Sequence, residues 1–153
     1  QNFAVQQNLR FNAKIKRVIL DGSIGARYWH ATSERKNFQT INSFDITYGL
    51  NAQISLPAGF AFNADCKLYQ REGYSDASMN DLRFVANARL EKTFLRGRLG
   101  VALDGYDIFG GLSNVTKVIN AQGIVETWYN SLPSYAMLQI SYKLSKAPKK
   151  KNQ

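Results

Sequence analysis

The sequence predicts an all-β fold: a portion of an antiparallel up-and-down transmembrane β-barrel, about seven strands with short periplasmic turns and long extracellular loops. Three observations predict it. Polar and apolar residues alternate with period two through seven segments, and no segment keeps the i, i+3, i+4 spacing of a helix for long. The segments run about 10 to 13 residues, longer than the usual 5 or 6 of globular sheets; at about 3.3 Å per residue and a tilt near 45°, roughly ten residues cover the apolar thickness of an outer membrane. The connections alternate. Brief turns at Lys16-Arg17, Pro57-Ala58-Gly59 and Arg96-Gly97 are interleaved with longer polar stretches at Thr32 to Phe38, Gly73 to Asn80 and Gly110 to Ser134, as on the two rims of an outer-membrane barrel.

In the first segment Val5, Leu9, Phe11, Ala13 and Ile15 oppose Gln6, Asn8, Arg10, Asn12 and Lys14. In the second, Leu20, Gly22, Ile24, Ala26 and Tyr28 oppose Asp21, Ser23, Gly25, Arg27 and Trp29. The third is unbroken, with Phe44, Ile46, Tyr48, Leu50, Ala52, Ile54 and Leu56 against Asp45, Thr47, Gly49, Asn51, Gln53 and Ser55. The fourth sets Phe60, Phe62, Ala64, Cys66 and Leu68 against Asn63, Asp65, Lys67, Tyr69 and Arg71. The fifth sets Leu82, Phe84, Ala86, Ala88, Leu90 and Phe94 against Arg83, Asn87, Arg89, Glu91 and Thr93. Leu99, Val101 and Leu103 of the sixth oppose Arg98, Ala102, Asp104 and Tyr106; Ala136, Leu138, Ile140, Tyr142 and Leu144 of the last oppose Met137, Gln139, Ser141 and Lys143.

Each segment thus has one apolar row, and the cost of charge assigns it. Arg or Lys at the bilayer midplane costs about 2–4 kcal/mol on the lipid face, falling toward zero at the interfaces. The charged exceptions in the apolar rows are Lys92 and Asp107, both near strand ends. Phe44, Ile46, Tyr48, Leu50, Ile54, Phe84, Leu90, Leu138 and Ile140 are therefore expected to face lipid. Arg27, Asp45, Asp65, Lys67, Arg83, Arg89 and Asp104 are expected to face a wet lumen, where opposite charges pair across strands. Aromatics near strand ends, among them Tyr28, Trp29, Phe44, Phe60, Phe62, Phe94 and Tyr142, fit interfacial girdles. The alternative is a soluble lipocalin-like barrel with the apolar row turned inward around a small apolar ligand, since period two alone does not say which side is wet.

Composition narrows the chemistry. The 153 residues are 44% hydrophobic and 12% aromatic, enough to fold, and hold one cysteine and one histidine. A disulfide framework, multi-cysteine zinc sites and histidine triads are excluded or made improbable, so no catalytic residue, metal or cofactor is expected. Cys66 reads as a small lipid-facing residue, His30 as a rim residue, and Asp45, Asp65 and Asp104 as lumen carboxylates rather than acid/base or calcium groups. The glycines of Gly105 to Gly111 lack the strand-to-helix context of a phosphate loop, and Asn114-Val115-Thr116 matches a glycosylation acceptor by accident. The net charge of +9 is partly a tail effect, with Lys146, Lys149, Lys150 and Lys151 close to the end. No basic helix or stacked-aromatic motif accompanies it, so no nucleic-acid partner is expected. There is no apolar run long enough for a transmembrane helix, and Gln1 to Lys14 lack the apolar core of a signal peptide, so a signal is expected to have been removed or the N-terminus not to be native.

The stretch Leu103-Asp104-Gly105-Tyr106-Asp107-Ile108-Phe109, then Leu112-Ser113-Asn114-Val115-Thr116, Ile119-Asn120-Ala121-Gln122-Gly123, Glu126-Thr127-Trp128-Tyr129-Asn130 and the closing strand Tyr135 to Leu144, follows Arg71-Glu72-Gly73-Tyr74-Ser75-Asp76 and Met79-Asn80-Asp81. Together these resemble the C-terminal end of an outer-membrane β-barrel family of Bacteroidota that is related to TonB-dependent receptors. The resemblance implies the last seven strands of a larger barrel in the bacterial cell outer membrane, with residues 1–145 in the barrel and 146–153 a basic periplasmic tail. It also implies uptake of an unknown ligand, contacts to it in the loops Gly73 to Asn80 and Gly110 to Ser134, and, as partners, membrane lipid, the remaining strands and plug of the same barrel, TonB and the barrel-assembly machinery. Tyr142 and Leu144 resemble an assembly signal. No TonB box or plug lies in these residues. A complete eight-stranded barrel would fit the length, but only seven spanning segments are found and bacterial single-chain barrels use even numbers. Val118 to Trp128 is expected to form a hairpin turning at Ala121-Gln122-Gly123, above the membrane.

Overall fold

The computed structural model describes residues 2–32, 40–113, 115–120, 123–130, 132 and 134–144. The strands are β1 (Asn2–Ile15), β2 (Val18–Ala31), β3 (Ile41–Ser55), β4 (Phe60–Glu72), β5 (Asp81–Phe94), β6 (Leu99–Tyr106), β7 (Val115–Asn120), β8 (Gly123–Trp128) and β9 (Tyr135–Tyr142). Seven of them form one antiparallel sheet in the order β1-β2-β3-β4-β5-β6-β9, and β7 pairs with β8 in a separate hairpin. The expected up-and-down sheet is therefore present, and a hairpin forms where one was expected but begins at Val115 rather than Val118. The tail at 146–153, the turn residues Ala121 and Gln122, and Asn114 lie outside the described residues.

Strand lengths depart from the even set expected. β1 to β5 have 13 to 15 residues, whereas β6 and β9 have 8 each. β6 stops early because the chain bulges. Ala88 pairs with Gly105, yet the Ile108 N–H donates to the Ala86 carbonyl at 2.9 Å, so Tyr106 and Asp107 together oppose Asn87. The extra residue flips the parity: Ile108 takes the place beside Ala86, and Asp107, at φ 46°, is buried with 3% exposure. Asp107 is thus not a charged exception in the apolar row. Its carboxylate accepts the Gly111 and Leu112 N–H groups at 2.8 and 3.0 Å, and its own N–H donates to Asn87 Oδ1 at 2.9 Å. Gly111 is required there, since a Cβ would run into the Phe84 backbone. Asp107→Ala should cost about 1–2 kcal/mol by orphaning those donors, with Asp107→Asn costing less, as read by urea unfolding in lipid vesicles.

The ladder registers carry the two rows across the whole sheet. Phe11, Gly22, Leu50, Cys66 and Ala86 lie level on one face, as do Ile15, Val18, Ile54, Phe62, Leu90, Leu103 and Leu138. At the first level Phe11 lays its ring over Gly22, filling the space a side chain would take. Register also places Glu72 on this face, opposite Phe44 at the loop rim. The other face carries Asp45 between Arg27 and Arg71, and Asn51 between Asp21 and Asp65.

Among the described residues, the cluster of buried apolar side chains lies at the loop end. Ala31, Ile41, Tyr74 and Met79 are buried together, with Trp29 against them. Ala31, Ile41 and Trp29 belong to the polar row, so the loop 73–80 folds back over that face. Trp29 is therefore no part of an apolar-face girdle.

Candidate functional site: the polar face and its loop end

All nine residues expected to face lipid lie on the apolar face by register. Phe44, Tyr48, Leu50, Phe84, Leu90, Leu138 and Ile140 are exposed and Ile46 and Ile54 half-buried. The seven charged residues expected in the lumen lie on the opposite face. Asp104 is buried with 4% exposure, Asp45, Asp65, Arg83 and Arg89 are half-buried, and Arg27 and Lys67 are exposed. Most of the large apolar side chains are thus more open than most of the charged ones.

The polar face is cross-linked in places the strand spacing dictates. Arg89 Nη1 donates to both Asp104 oxygens at 2.9 and 3.0 Å and to Gln139 Oε1 at 3.0 Å, while Nη2 reaches Glu91 at 3.3 Å, so β5, β6 and β9 are joined by one guanidinium. Asn87 donates to Asp65 at 2.9 Å across β4 and β5, and Asn12 bonds Asp21 across β1 and β2. Arg83 pairs within its own strand, 2.7 Å from Asp81. Arg27 sits opposite Asp45 in register but lies 5.6 Å over the Trp29 ring, because Asp45 is engaged elsewhere. Between the cross-links is a depression of about 650 Å³ whose polar wall includes Arg10, Asp21, Gly49, Asn51, Asp65 and Lys67.

The partner of Asp45 is Arg71, which strand alternation placed on the polar row without marking it as special. Its Nε is 3.2 Å from Asp45, Nη2 donates to Tyr74 Oη at 3.0 Å, and Tyr74 Oη donates to Asp45 at 2.9 Å. Arg71 Nη1 reaches the Lys117 carbonyl at 3.4 Å; Lys117 Nζ is 3.0 Å from Ser78 Oγ and 2.9 Å from Glu126. Asp45, Arg71, Tyr74 and Lys117 thus tie the wall to the loop 73–80 and to the β7–β8 hairpin. The string Arg71 to Asp76 is the sequence signal here, but the closure onto Asp45 depends on the loop's path.

Within that loop the Asp76 carboxylate accepts the Ser78 N–H at 2.8 Å. The Ser78 side chain and N–H hold Asp76 below the usual carboxylate range. A folded value below the unfolded one means the bond is in place at neutral pH and is lost as pH falls below the ordinary carboxylate range, through the depressed value. The Ser78 amide resonance should titrate with a midpoint lower than that of a free aspartate.

Among the described residues, no three of His, Cys, Asp and Glu cluster as metal ligands, and no helix is long and apolar enough to cross a membrane. An antiparallel sheet of long strands with one largely exposed apolar face, one charged face and alternating short and long connections has the make-up of a transmembrane β-barrel wall. Residues 1–142 match the model of the outer membrane protein beta-barrel family, and the chain belongs to that family. Its place is the bacterial outer membrane. No curated protein and no solved structure matches the chain.

Proposed function

We propose that the chain is the C-terminal segment of a larger outer-membrane barrel related to the TonB-dependent receptors of Bacteroidota, forming channel wall and external loops for uptake of a ligand. The apolar face meets lipid and the charged face lines the lumen. The observation that carries this reading is the continuity of one apolar row across all seven strands, most of its large side chains exposed, opposite a row that holds the charges. A soluble lipocalin-like barrel needs the reverse. From Tyr28 and Phe44 at the loop rim to Val18 and Ile54 is ten residues of strand, about 33 Å of chain and roughly 25 Å of height at the usual tilt, the depth of an outer-membrane apolar band.

The ladder also ends at β1 on one side and β9 on the other. Two open edges call for more strands, and this supports a larger barrel, with its plug, TonB and the assembly machinery as partners and Tyr142 with Leu144 as the assembly signal. β9 ends at Tyr142, so Leu144 lies just beyond the strand. The short turns face the periplasm and the long loops the exterior, which puts the tail at 146–153 in the periplasm. In the loops, Tyr74 and Met79 are packed inside, whereas Trp128 and Tyr129 are open to a ligand. No catalytic role, metal or cofactor is proposed.

The test is a photoreactive residue at Asn8 in β1 and at Gln139 in β9 of the protein in its native membrane. Adducts to strands of the same polypeptide outside this segment are expected; an adduct between β1 and β9 themselves would contradict the larger barrel.

A further inference from the structure

At the turn end of the sheet cations predominate. Lys16 and Arg17 form the β1–β2 turn, and Arg96 and Arg98 lie in the β5–β6 turn. Lys143 follows β9, its N–H donating to the Arg98 carbonyl at 2.8 Å, so two cations stand opposite each other across the ladder. Among the described residues no carboxylate pairs with any of these side chains, and Glu91, an acid at this end, is held 3.3 Å from Arg89. The loop end differs: Arg71, Arg83 and Lys117 each have a carboxylate within 3.2 Å.

Lys92 lies at the same end of the sheet. It is the cation of the apolar face, with Nζ 3.9 Å above the centre of the Phe60 ring and 5.6 Å from that of Phe94, bonded to the Ala58 carbonyl. An ammonium held by two rings at the edge of an apolar band lies at head-group depth. We infer that this rim, Lys92 with Arg96 at one side and Lys16 with Arg17 at the other, is a docking surface for the phosphates of anionic phospholipid in the adjoining leaflet. The inference rests on the lipid-facing orientation proposed above. It adds a preference for one class of lipid, argued from charge complementarity and from continuity with the apolar face.

The test uses the complete protein in nanodiscs of phosphatidylethanolamine with a minor share of phosphatidylglycerol, followed by quantification of the lipid retained after gentle detergent extraction. Phosphatidylglycerol should be enriched over its bulk share around the wild type. Lys92→Gln, Arg96→Gln and Arg17→Gln should each weaken its retention by up to roughly fivefold, more so at low salt, while Arg96→Lys with Arg17→Lys should keep it. Retained lipid of bulk composition, or enrichment untouched by the three substitutions, would overturn the inference. So would displacement of phosphatidylglycerol by inorganic phosphate alone, which marks a site for free anions. A spin label at Leu50 in the same discs reads hydrocarbon contact whatever the head group, so loss of lipid preference is distinguishable from loss of the membrane orientation.

Discussion

Leu50→Arg should destabilise the protein in a bilayer by about 2–4 kcal/mol, the cost of a guanidinium at the middle of a lipid-facing strand. Leu50 lies level with Phe11, Gly22, Cys66 and Ala86, midway between the loop rim at Phe44 and the turn rim at Leu56, and none of these neighbours offers a charge. The same substitution one residue along should behave differently. Asn51 lies on the charged face between Asp21 and Asp65, so Asn51→Arg gains two carboxylate neighbours and should cost less than about 1 kcal/mol or stabilise. Denaturant titration of the two variants in thin-bilayer vesicles reads the contrast directly. A soluble barrel with a dry apolar interior would also reject Leu50→Arg, but an outward-facing Asn51 would then give no gain from Asp21 and Asp65 beyond a screened surface pair.

Arg89→Ala should cost about 2–3 kcal/mol. Asp104 is buried, and its only ion pair among the described residues is with Arg89, so truncation leaves a carboxylate without its cation and frees Gln139 and Glu91 as well. The figure is set below the 3–5 kcal/mol of a fully buried pair because a third of the Arg89 side chain is open to solvent. Arg89→Ala with Asp104→Asn should recover part of the loss, since the orphaned charge is then removed. The effect should fall on the β5, β6 and β9 end of the wall, measurable as faster amide exchange in β9 than in β2.

The parts of this architecture that follow from local alternation were legible in the sequence. A side-chain period of two fixes which residues share a face, so the faces of β3 and β4, the turns at Lys16, Ala58 and Arg96 and the β7–β8 hairpin could all be read from spacing and turn residues. What depended on a single inserted residue was not. Asp107 reads as a member of the apolar row only while the ladder is assumed regular; the bulge opposite Asn87 turns it inward and shortens β6. Contacts made by a loop returning over the sheet were equally hidden. Trp29 reads as a rim aromatic until Tyr74 and Met79 cover it, and Arg71 reads as one lumen charge among several until Tyr74 closes the triangle with Asp45. Trp29 and Asp45 lie far along the chain from Arg71, Tyr74 and Met79, and no local pattern announces their meeting.

The orientation of the two faces is tested most directly by nitroxide labels at Leu50 and Asn51, introduced one at a time on a Cys66→Ala background in native-like membranes. Oxygen should relax the label at Leu50 more strongly and a water-soluble nickel chelate the label at Asn51. Equal oxygen accessibility at both positions, or readier access of the chelate to Leu50, would contradict a lipid-facing apolar row.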